Sequence, residues 1–94
     1  MGAIEIIALA VNLMNIAFGA AKSAQVVGNQ DWAKYADAGI TIANRLTSIL
    51  PDVFANPAKY DGMEPAAILA LLQPASWEDL EARARVELGL PPTA

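Results

Sequence analysis

From Ile4 to Val27 the chain runs through its longest apolar segment, with no charge between Glu5 and Lys22. Placed at about 100° per residue, the segment reads as a helix with three stripes. Glu5, Ala8, Asn12, Asn15, Gly19, Lys22 and Ser23 share a narrow polar line. Ile4, Ile7, Val11, Met14, Phe18 and Ala21 form one apolar stripe, with alternating three- and four-residue steps. Ile6, Leu9, Leu13, Ile16, Ala20 and Val27 form another. Apolar residues thus cover about two-thirds of the circumference, against the ~100° stripe of an ordinary surface helix. Such a helix needs cover on two sides, so the rest of the chain is read for what can supply it.

A membrane is one possible cover. A spanning helix needs about 20 apolar residues. Ile6–Ala21 is shorter and carries Asn12 and Asn15 on one side. A signal peptide calls for an early positive charge, and Glu5 stands there instead. Ile6 occupies the position where a myristoylation motif calls for Ser or Thr. The expectation is a buried helix with no signal peptide or transmembrane span, in a cytoplasmic protein or a component of a particle.

The second helix is expected at about 31–50. Gly28 and Asn29 tolerate the left-handed conformation that ends a helix, and Asn29 or Asp31 can cap the next one. Trp32, Tyr35, Ala36, Gly39, Ile42, Ala43, Leu46, Ile49 and Leu50 share a face; Lys34, Asp37, Thr41, Asn44, Arg45 and Ser48 share the other. The short link makes the pair, about 3–27 and 31–50, an antiparallel hairpin. Small residues late in the first helix (Ala17, Ala20, Ala21, Ala24) then oppose Trp32 and Tyr35, as interdigitating layers require.

Pro51 is expected to end or kink the second helix. The stretch to Gly62 reads as a loop with a single turn from Pro51 to Phe54, and with Val53, Phe54 and Tyr60 folding back on the core. A third helix is predicted at about 64–73, with Asp61 and Glu64 at capping-box spacing and Pro65 in its first turn. A fourth is predicted at about 76–88. Its N-cap is Ser76, Trp77 and Leu88 lie on its inner face, and Asp79–Arg83 and Glu81–Arg85 are spaced to pair. Gly89 closes it. The fold class is therefore all-α: a helical hairpin followed by two shorter helices in a small bundle, one domain over 1–90 with an extended tail at 91–94.

Composition removes several functions. The net charge of −4 and the scattered basic residues argue against a nucleic-acid backbone as partner. The chain has no cysteine and no histidine, which removes disulfides, thiol nucleophiles, imidazole bases and Cys/His zinc sites. No catalytic residue, cofactor site, metal site or small-molecule substrate is identified. Glu78, Asp79 and Glu81 read as a solvated helix start rather than a calcium site, which needs six or more oxygens.

The chain is 55% hydrophobic and 17% charged, so apolar surface is left over for a partner. The candidate interface is Ile4, Ile7, Val11, Asn12, Met14, Asn15 and Phe18. Asn12 and Asn15 belong to it because a buried amide can set the register of a helical assembly. The functional expectation is a non-enzymatic structural or interaction protein that associates with itself or with a protein partner. It is read as a small helical subunit of a larger assembly, such as an accessory component of a phage or bacterium. The alternative is a membrane-associated protein using the first helix, holin-like or as a peripheral anchor.

Overall fold

The computed structural model describes residues 1–74 together with Leu80, Ala82, Arg85, Val86 and Gly89. The predicted helix at 76–88, its Ser76 cap, Trp77, the two ion pairs and the 91–94 tail fall mainly outside these residues. The described part is all-α: α1 (Ala3–Val26), α2 (Trp32–Ala55), α3 (Pro57–Asp61) and α4 (Pro65–Leu72). α1 and α2 make the expected antiparallel hairpin, and α4 lies against both.

The hairpin turn is set by its residues. Gly28 adopts φ 74°, which is free of Cβ strain only for glycine. The N–H of Gly28 donates to the carbonyl of Gln25 (3.2 Å) and that of Asn29 to Ala24 (2.8 Å), the paired bonds of a Schellman closure. Asn29 then turns the chain into α2, its Oδ1 accepting from the Asp31 N–H at 2.9 Å. Asp31 sits at the N-cap position without a side-chain capping bond.

α2 does not stop at Pro51. It continues to Ala55, which corrects the loop expected from Pro51 onward. Pro51 is exposed. It withholds one N–H from the ladder, and the next turn is held from outside by the Asp52 cluster described below. Thr47 and Ser48, in the turn before it, donate their hydroxyls to the carbonyls of Ala43 and Asn44 (2.9 and 3.0 Å). An interior proline removes one bond and crowds the preceding turn, so a helix continues past it where other contacts compensate. Val53, 2% exposed, packs. Phe54 does not: it is 66% exposed, contrary to the inward placement expected of it.

The core runs along one side of the hairpin. Ile6, Leu13, Ile42, Ile68, Leu69 and Leu72 are fully buried, each contributing on the order of 1.5–3 kcal/mol relative to exposure. Tyr60 and Leu80 join it. Pro65 stands at the start of α4 as expected, but neither Asp61 nor Glu64 makes a capping bond there. Arg45 donates across the bundle to the carbonyl of Gln73, fixing which flank of α2 faces α4. At the other end the Met1 ammonium donates to the carbonyls of Asp61 (2.9 Å) and Met63 (3.3 Å), beside the end of α3.

One expectation is overturned. α1 is 24 residues long and its most apolar 18-residue stretch has a mean hydropathy of 1.8, long and apolar enough to cross a membrane or to serve as a signal sequence. The expectation of no span, and the cytoplasmic or particle location drawn from it, therefore does not stand. The reason is length. The helix is not confined to Ile6–Ala21 but extends through Glu5 and Lys22 to both ends, about 36 Å against a hydrocarbon core of about 30 Å. Of its most apolar stretch, 39% is buried within the chain itself, as in the core helix of a bundle.

Candidate interaction surface

α4 and Tyr60 cover one flank of the hairpin, and the opposite flank is apolar and open. On α1, Ile4 is 84% exposed and Val11 and Phe18 are each 43% exposed. These three stand seven residues apart, so they lie in line along one face. Ile7 and Met14 fall between them, half-buried against the core. α2 repeats the spacing with Ile40, Thr47 and Phe54, all exposed.

The two lines are in register. The Phe18 ring lies over Gly39, where a Cβ would come within 2.6 Å of it. With the helices antiparallel, that contact sets Phe18 beside Ile40, Val11 beside Thr47 and Ile4 beside Phe54. The result is a ladder of three rungs, none bearing a charge. Near the hairpin turn, Val26, Val27 and Trp32 are 80, 76 and 41% exposed.

Of the residues proposed from sequence, the structure brings Ile4, Ile7, Val11, Met14 and Phe18 to this flank, with exposed Asn15 at its edge. Asn12 is not among them. It lies on the α4 side, lining a shallow cleft with Glu5, Ala8, Leu9 and Pro65. Neither asparagine is buried within the chain. Ile40, Thr47 and Phe54 were not in the sequence-derived set. Their shared seven-residue step was the available signal, masked by assigning 51–62 to a loop.

A second constellation, also unanticipated, gathers on Asp52. Its Oδ1 accepts from Asn56 Nδ2 (2.8 Å), and its Oδ2 accepts from Lys59 Nζ (2.9 Å) and from the Tyr60 hydroxyl. The Tyr60 hydroxyl first, then Lys59 and Asn56, hold the Asp52 carboxyl down at about 2. The same bonds to Asp52 raise Lys59 and Tyr60 above their ordinary values. Lys59 Nζ also lies 5.4 Å from the Tyr60 ring centre. Every member of the cluster is partnered by another, and the cluster ties α3 to the last turn of α2. A further open cleft of about 390 Å³ lies near the turn, lined by Ala20, Ala24, Tyr35 and Leu80 among others. Small α1 residues leave that space.

No family model, curated protein or solved structure matches the chain.

Proposed function

We propose that this protein is a non-enzymatic interaction subunit, one helical component of a larger protein assembly, which docks a protein partner on the open flank of its hairpin. The observation that carries the reading is the uncharged ladder of Ile4, Val11 and Phe18 beside Ile40, Thr47 and Phe54. Its five large apolar residues leave about 600 Å² open, taking roughly 200 Å² for each side chain laid fully bare. That stands at the upper end of the ~300–600 Å² found for the largest patch on a monomer, where such patches are often functional. The seven-residue step suits a helical surface packing along the groove.

The test is site-specific photo-crosslinking in cells producing the full chain. A photoreactive residue at Val11 or at Phe54 should yield a discrete protein adduct, and one at Ser48, exposed elsewhere on α2, should yield none. Lipid adducts alone, or none at all, would overturn the reading.

A second reading is membrane association through α1, favoured by that helix's length and apolarity. Flotation with neutral and with anionic vesicles tests it. Co-flotation with either supports it, and sedimentation away from both removes it.

A further inference from the structure

The chemistry of the ladder narrows the partner, granted that the ladder docks a protein at all. We propose that the flank is closed by a second copy of the same chain, antiparallel, about a two-fold axis crossing α1 between Val11 and Met14.

The argument starts from the register. Antiparallel helices with a seven-residue repeat interleave when each outer residue falls opposite an intermediate residue of its partner. For α1 on its own copy, this pairs Ile4 with Ala21, Ile7 with Phe18, and Val11 with Met14 of the partner copy. The Phe18–Gly39 contact then dictates where α2 falls. Within one residue, about 1.5 Å, it lands in the same interleaved pattern: Phe54 opposite Ala36, Thr47 opposite Ala43, Ile40 opposite Leu50. One two-fold therefore satisfies both helices at once. It also sets the bulkiest ends, Ile4 and Phe54, against alanines. Because the Phe18–Gly39 contact sets the two lines level, a two-fold that suits one helix also suits the other.

Charge does not oppose the pairing, and area agrees with it. Glu5 and Lys22 are the only charges on α1, and Glu5 lies on the α4 side with Asn12, away from the ladder. The ladder itself adds no like charges to a pairing of two chains at −4 each. Two open flanks of about 600 Å² make about 1,200 Å², the lower bound of a standard stable interface. An isologous contact of this kind is the commonest in soluble oligomers.

The full chain contains no cysteine, so single cysteines report the geometry directly. Native mass spectrometry at tens of micromolar should give twice the 9.9 kDa chain mass. Val11→Asp should give the monomer with its helical circular dichroism intact, because Val11 is half-exposed. Val11→Cys chains treated with a short thiol crosslinker should give a linked dimer, since the two copies would lie about 4.5 Å apart along the axis. Ile4→Cys should not, since its two copies would lie about 26 Å apart. A monomeric wild-type chain, or a dimer in which Ile4→Cys links to itself, overturns the proposal. A Val11 photo-adduct of some other mass leaves the interaction reading standing and removes only the second copy.

Discussion

The Phe18 ring occupies the space where a side chain at Gly39 would begin: a Cβ there would stand 2.6 Å from two of its ring atoms. The ring is 43% exposed, so it can swing outward. In Gly39→Ala the steric push is offset by alanine's helix propensity, worth up to about 1 kcal/mol over glycine. Urea denaturation should find that variant within about 1 kcal/mol of wild type. Gly39→Leu cannot be relieved by a swing and should cost about 1–3 kcal/mol. Adding Phe18→Ala to Gly39→Leu should recover part of that loss, giving a non-additive cycle.

Acid should weaken the bundle by way of Asp52. Its carboxyl is held at about 2 rather than 3.8, so it binds fewer protons folded than unfolded near pH 3. Its stabilising contribution is complete above the ordinary carboxylate value and is lost as pH falls through about 2. Carboxyl-carbon NMR should place the Asp52 titration there. Tyr60→Phe, which removes the largest cause, should move it toward 3.8. Lys59 and Tyr60 are shifted upward, so their contribution is present below their ordinary values and is lost as pH rises through the higher folded ones.

Core and ladder residues of similar chemistry should separate by stability. Leu13→Ala removes a fully buried side chain and should cost about 2–5 kcal/mol. Ile4→Ala, at a position 84% exposed, should change the monomer's stability by no more than about 0.5 kcal/mol. Chemical denaturation at concentrations dilute enough to keep the chain monomeric checks both.

Pro51 sits inside α2 on its solvent side. Pro51→Ala would supply the missing N–H for the carbonyl of Thr47 and relieve the ring's clash with that turn. The unfolded chain gains freedom at the same time, which opposes the benefit. The net should be stabilising by about 1–3 kcal/mol, read as a raised denaturation midpoint with an unchanged slope.

The hairpin was legible in the sequence because period and punctuation agree there. The alternating steps from Ile4 to Ala21, the Gly28-Asn29 stop and the amphipathic run from Trp32 all point the same way. What failed was decided by contacts that no local rule contains. Pro51 reads as a terminator, yet burial of Val53 and the bonds to Asp52 carry α2 past it. Asp52 and Tyr60 are eight residues apart across a helix break, a spacing that belongs to no single helix. Trp32 and Phe54 have side chains that ordinarily pack inward, but their wheel positions fall at the edge of the core face, where α4 does not reach. Asn12 shares the polar line with Asn15, yet that line straddles the helix crest. The two amides descend on different sides.

α1 also has a history in time. It leaves the ribosome before α2, the helix that covers it. Between Val26 and Ala55 lie roughly thirty residues, about 1.5–6 s of synthesis. During that interval a 24-residue apolar helix stands without its cover, and it meets the length and hydropathy of a membrane segment. Until α2 packs against it, the apolar side that Leu9, Leu13 and Ile16 bury in the finished fold stays bare.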